Sequence, residues 1–105
     1  MYKRQGQEAG YNNTEGNLNT FVGQSAGYSN DTGSNNTFIG QNAGYNNTDG
    51  SENIFIGQNS GSSNETGNTN VVIGQAAGQS LVDGDNNVLI AVSYTHLTLP
   101  TKRIV

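Results

Sequence analysis

The chain alternates short apolar runs with longer polar, glycine-punctuated stretches, and it does so at a fixed period. The runs are Leu18-Asn19-Thr20-Phe21-Val22, Asn36-Thr37-Phe38-Ile39, Asn53-Ile54-Phe55-Ile56, Asn70-Val71-Val72-Ile73 and Asn87-Val88-Leu89-Ile90, each 17 residues after the last. Residues 40–56, GQNAGYNNTDGSENIFI, show the whole unit. Copies start at Gly6, Gly23, Gly40, Gly57 and Gly74 and fill residues 6–90 with no insertion or deletion. Such a repeat decides the architecture, because a unit too small to bury its own apolar face must stack on its neighbours.

The runs are rich in β-branched and aromatic residues and bounded by Gly and Asn, the pattern of a strand. Each is too short for a helix, and the glycine density penalises helix formation heavily. The glycine after each run allows a sharp corner with positive φ. Ala26-Gly27-Tyr28 and its equivalents (Ala9-Gly10-Tyr11, Ala43-Gly44-Tyr45, Ser60-Gly61-Ser62, Ala77-Gly78-Gln79) predict a second, weaker strand. Stretches such as Asn46-Asn47-Thr48-Asp49-Gly50-Ser51 then turn the chain back through residues that bond their own backbone. The expected fold class is therefore all-β: a parallel β-roll, or β-solenoid, of short strands with one coil per 17 residues. Identical positions in successive coils should lie about 4.7–4.9 Å apart.

Side chains alternate along a strand. Thr20, Thr37, Ile54, Val71 and Val88 therefore share a face with Val22, Ile39, Ile56, Ile73 and Ile90, and this face is assigned to the interior. Small Ala26 and Ala43 would oppose it. Phe21, Phe38, Phe55, Val72 and Leu89 then form an outward apolar stripe, too long to leave in water, and a subunit-contact stripe between identical chains follows. The opposite parity, with Phe in the core and Thr and Val outside, remains open.

Asn19, Asn36, Asn53, Asn70 and Asn87 repeat without exception and predict a structural ladder of stacked amides. A second column, Asn13, Asn30, Asn47 and Asn64, breaks at Leu81, where the last copy drifts from the pattern.

The chain is short enough for one domain. Its apolar content of 31% is below the ~45–50% usual for globular chains, yet the strict phase argues against disorder. The absence of cysteine removes disulfides and thiol chemistry. No apolar run approaches the ~20 residues of a membrane-spanning helix. All eight acids lie inside residues 6–90 and all four bases outside, so the repeat block carries a formal charge of −8. Without Lys or Arg it makes a poor partner for nucleic acid or an anionic membrane surface, and direct membrane insertion by this segment is not expected.

No enzyme emerges, since the block holds no His, Cys, Lys or Arg to activate a nucleophile. No catalytic, cofactor-binding or metal-ligating residues are assigned. The acids Glu15, Asp31, Asp49, Glu65 and Asp83 recur in the turns, but they alternate between two adjacent positions and lack the GGxGxD nonapeptide of calcium rolls. A solvated turn is the better reading. The Asn-x-Thr triplets at Asn12, Asn30, Asn35, Asn46 and Asn64 follow from composition.

The two ends are expected to have a separate origin, against the alternative of a genuine N-terminal leader and C-terminal strand. Residues 1–5, MYKRQ, can be encoded as GTG TAT AAG AGA CAG, with GTG as a start codon. Its reverse complement in a shifted frame reads Ala91-Val92-Ser93-Tyr94-Thr95, and that DNA resembles the transposase end sequence of sequencing-library adaptors. Residues 1–5 and 91–105 are therefore excluded from fold reasoning as adaptor-like, with Ala91 ambiguous, although residues 93–99 alternate as a strand would. The expectation is a fragment, residues 6–90, of a protein longer at both ends.

The phrase Asn36-Thr37-Phe38-Ile39-Gly40-Gln41-Asn42-Ala43-Gly44 and its copies resemble the head repeats of YadA-like trimeric autotransporter adhesins. Their motif runs roughly N-S-V-A-I-G, two variable residues, then Ala or Ser. Asn36, Ile39, Gly40 and Ala43 match directly, Thr37 sits at an inward Val, and Phe38 replaces a small Ala. The resemblance covers about residues 6–90. It implies a left-handed roll, a homotrimer, a place on the bacterial cell surface or outer membrane, and attachment to host matrix or other cells. The polar turn here is longer than the family's, and Phe38 would alter the packing around the trimer axis. Similar Asn/Gly/Phe repeats also look like shafts of tail-fibre proteins that end in a self-cleaving chaperone domain, which gives a structural alternative.

Overall fold

In the computed structural model, residues 2–90 and 103–104 are described, with side chains from residue 6 to residue 90. Seven short strands, β1 (Tyr2–Gln5), β2 (Asn19–Val22), β3 (Thr37–Ile39), β4 (Ile54–Ile56), β5 (Val71–Ile73), β6 (Val88–Ile90) and β7 (Arg103–Ile104), form one parallel sheet in sequence order. Thr20 pairs with Thr37, Thr37 with Ile54, Ile54 with Val71 and Val71 with Val88, a constant offset of one repeat. The chain is a β-solenoid with one 17-residue coil per repeat, as the periodicity predicts. The backbone of β1 joins the first coil in the same phase, Tyr2 opposite Asn19, as an unpaired parallel edge templates any extended chain that reaches it. The alternating residues 93–99 lie outside the described residues.

The predicted second strand is absent from residues 6–90. The segment after each strand instead winds through consecutive tight turns, with Ala26 N–H donating to Gly23 O, Tyr28 N–H to Ser25 O and Asn30 N–H to Gly27 O. Positive φ at Ser25 (59°) and Gly27 (60°) places each at the third position of its turn, the position where a type II turn requires it. The same segment still bonds to the next coil, Gly27 N–H to Ala43 O and Ser29 N–H to Tyr45 O. Stacking alone thus satisfies backbone groups that a second strand would have satisfied.

The parity of the strands is the reverse of the one assigned. Phe21, Phe38, Phe55, Val72 and Leu89 are not an outward subunit-contact stripe; they are the core, with all three phenylalanines fully buried. Their rings form a continuous pile, 5.2 Å between Phe21 and Phe38 and 4.8 Å between Phe38 and Phe55, nearly parallel. Ala9, Ala26, Ala43 and Ala77, with Ser60 in the fourth copy, complete the interior opposite them. Thr20, Thr37, Ile54, Val71, Val88 and Val22, Ile39, Ile56, Ile73, Ile90 form the outer face and are half-buried or exposed.

The reason is width. A coil whose other wall is a series of turns encloses room for one large side chain, and Phe fills it against a facing Ala. Gly27 shows the tightness, since a Cβ there would stand 2.7 Å from the Phe21 ring. Two β-branched side chains per strand would overfill that slot, while leaving Phe in water would forfeit about 1.5–3 kcal/mol per ring. Phe38→Ala should therefore cost about 3–5 kcal/mol, read as a fall in thermal midpoint that does not depend on protein concentration. A loss that appears only on dilution would instead place Phe38 at a subunit contact.

Candidate functional site

Columns of side chains one repeat apart run along the solenoid, and they differ in what they bond. The Asn19 column is buried and binds coil to coil. The Oδ1 atoms of Asn19, Asn36, Asn53 and Asn70 each accept the backbone N–H of the next Asn in the column, all at 2.9 Å. Their Nδ2 groups donate to the carbonyls of Gly33, Gly50, Gly67 and Gly84 in the following coil, at 2.7–2.8 Å. The ladder exists, but it bonds mainly side chain to backbone; only its last step, Asn87 Nδ2 to Asn70 Oδ1 at 3.2 Å, is amide to amide.

The amide-to-amide ladder belongs to the second column. Nδ2 of Asn30, Asn47 and Asn64 reaches the Oδ1 of the preceding Asn at 2.7–2.8 Å. Each also closes its own turn on the carbonyl three residues ahead, as Asn47 does on Gly50 at 2.9 Å. Both columns converge on the same glycine carbonyls, which explains the glycines: a Cβ on Gly50 would collide with the Gly67 carbonyl oxygen and with Asn47 Oδ1. At Leu81 the ladder stops, and Asn64 Oδ1 is left buried without a partner.

Two of the turn acids, Asp31 and Asp49, are taken up by threonine. Thr14 Oγ1 donates to Asp31, and Thr32 Oγ1 to Asp49 at 2.8 Å. The alternation of acids between two columns therefore has a physical use. Along either column consecutive carboxylates are two coils apart, about 9–10 Å, near the screening length at ~0.1 M salt. Among the described residues no group of three or more His, Cys, Asp or Glu comes together to hold a metal.

Two surfaces are left to meet something else. One is the outer sheet face, where Ile39, Ile54, Val88 and Ile90 are 36–43% exposed. The other is a stack of tyrosines on the turn segment, Tyr11 on Tyr28 at 5.2 Å and Tyr28 on Tyr45 at 5.0 Å, the last pair 2° from parallel. Partial loss of solvation, then Glu8 and the neighbouring phenols of Tyr45 and Tyr11, raises the Tyr28 hydroxyl above its usual range. The column continues as Ser62, and beside it an open groove of about 250 Å³ is lined by Asn42, Tyr45, Asn46, Asn59 and Ser62.

Sequence reasoning missed the tyrosine stack and the groove, although Tyr11, Tyr28 and Tyr45 keep the repeat's phase as strictly as the phenylalanines. Asn19 and Phe21 are two residues apart in one strand, so the structure buries the Asn ladder and the Phe pile on the same side.

Fold and columns define a parallel β-solenoid repeat protein whose polar ladders are structural. No family model, curated protein or solved structure matches the chain. Among the described residues no helix is long and apolar enough to cross a membrane.

Leu81→Asn should extend the second ladder and supply the missing donor to Asn64 Oδ1. Relieving an unpaired buried acceptor is worth about 1–3 kcal/mol, from which the lost Leu81 packing subtracts part. A net gain of about 1 kcal/mol is expected in denaturant unfolding.

Proposed function

We propose that this segment is part of a bacterial cell-surface fibre, an adhesin head or stalk that assembles as a homotrimer and mediates attachment to host matrix or other cells. The outer sheet face carries the reading. Parallel sheets are ordinarily covered on both sides, and here one side rests on the Phe pile while the other presents two continuous β-branched columns. From β2 to β6 that face contains no charged residue. The acids lie on the turns, so chains of the same negative charge can approach sheet to sheet with their carboxylates held away.

A second copy of the same chain suits this face best, because its coils rise by the same step and its columns stay in register along the whole rod. The resemblance to YadA-like heads supplies the three-fold closure and the surface location. The Phe pile takes no part in the contact, so Ile39 and Ile56 replace the phenylalanines as the residues bearing it. No catalytic step belongs to this function.

Sedimentation equilibrium of the chain should give a trimer. Ile39→Lys with Ile56→Lys places unpaired charge in the contact, costing about 3–5 kcal/mol, and should yield monomers with an unchanged far-ultraviolet dichroism spectrum. A wild-type chain that is a well-folded monomer overturns the assembly. In the complete gene, a coiled-coil stalk with a C-terminal membrane β-barrel supports the adhesin. A C-terminal chaperone domain would make the segment the shaft of a tail-fibre-like protein instead.

A further inference from the structure

We propose that the groove beside Tyr45 is a carbohydrate subsite in which one pyranose ring stacks on the free face of Tyr45. One face of the Tyr45 ring is covered by Tyr28 at 5.0 Å. The other points towards the next coil, where the column changes from Tyr to Ser62, and the space a fourth ring would take is the groove itself. The solenoid therefore presents a flat aromatic platform with room for one ring of the same footprint at the stacking distance its own rings use.

The rim specifies the chemistry of that ring. Asn42, Asn46 and Asn59 line the groove, and no hydrogen bond among the described residues engages their side-chain amides, unlike those of the two buried Asn columns. Asn42 and Asn59 stand in the left-handed backbone region, φ 61° in both, at equivalent places in successive coils. Their backbone N–H groups are committed to Gln24 O and Gln41 O, which holds the two residues in place. A flat platform edged by uncommitted amides on a fixed backbone suits a ligand with apolar faces and hydroxyls around its perimeter, which describes a pyranose. Aromatic side chains with a few convergent polar groups are the usual makings of a small-ligand site.

The competing ligands fit less well. A nucleotide would also stack, but its phosphate meets a repeat block of charge −8 with no Lys or Arg. An uncharged aromatic ring would desolvate the three amides and give them no partner, which costs free energy. None of the groove residues belongs to a strand, so covering the outer sheet face leaves the site open. The subsite deepens the attachment reading by naming a ligand class, and a fibre of several chains would multiply a weak single-site affinity.

The chain lacks Trp and three of its five tyrosines form the stack, so quenching of tyrosine emission reports on it, with Tyr45→Ala as the control that assigns the signal. Titration of the full chain with methyl glucopyranoside, methyl galactopyranoside and their 2-acetamido analogues should quench that emission, with saturation near the millimolar range typical of a single small ring. Saturation-transfer NMR should mark the sugar C–H protons of the stacked face. Tyr45→Ala removes the platform and should weaken binding about tenfold or more, while Tyr11→Ala, at the far end of the stack, should leave it unchanged. Ser62→Tyr continues the column into the groove and should abolish binding while the dichroism spectrum and thermal midpoint are retained. Absence of binding by every sugar, binding that survives Ser62→Tyr, or binding of free indole in place of the sugars overturns the proposal. A monomeric chain that still takes sugar supports the subsite and removes the trimer alone; a trimer that takes none does the reverse.

Discussion

Everything in this molecule depends on one constraint: each coil must lie on the next at the spacing of a parallel ladder. That spacing brings the glycine carbonyls within 2.7–2.8 Å of the Asn19-column amides and the phenylalanine rings into a pile at 4.8–5.2 Å. A single coil could form neither arrangement. The polar clasp and the apolar pile therefore hold one another in place, and cooperativity runs along the rod as in other repeat proteins.

The chain builds a stable interior from few apolar residues because it buries polar ones with their partners. Asn30, Asn36, Asn47 and Asn53 are as fully buried as the phenylalanines, which would be costly in an ordinary core. Here each amide meets a neighbour supplied by the repeat one coil away. The low apolar content that resembles a disordered sequence thus belongs to a core half made of hydrogen bonds. Leu81 shows the converse, since a single departure leaves Asn64 Oδ1 without its donor.

The outer surface divides the same way. Columns that bond between coils are spent on structure, including the exposed glutamines Gln24, Gln41, Gln58 and Gln75, which hydrogen-bond in sequence. The β-branched sheet face and the end of the tyrosine stack are not spent in this way. Both offer a regular array that stops without a cover, which is why assembly and ligand recognition are assigned to them.

The sequence by itself determined the solenoid, the coil length, the one strand that each repeat forms and the register, because strict 17-residue identity admits only in-phase stacking. The second strand it suggested is replaced by turns. It also contained the Asn columns and the break at Leu81. What it left open was which side of each strand faces in, because Thr20, Phe21 and Val22 are all acceptable strand residues and alternation alone is symmetric. Only the tertiary structure decided that parity, through the width of a coil closed by turns at Ala26-Gly27-Tyr28 rather than by a second strand. The 17-residue spacing sets Ser62 beside Tyr45 in the next coil, while the same closure decided that this column lines an open groove.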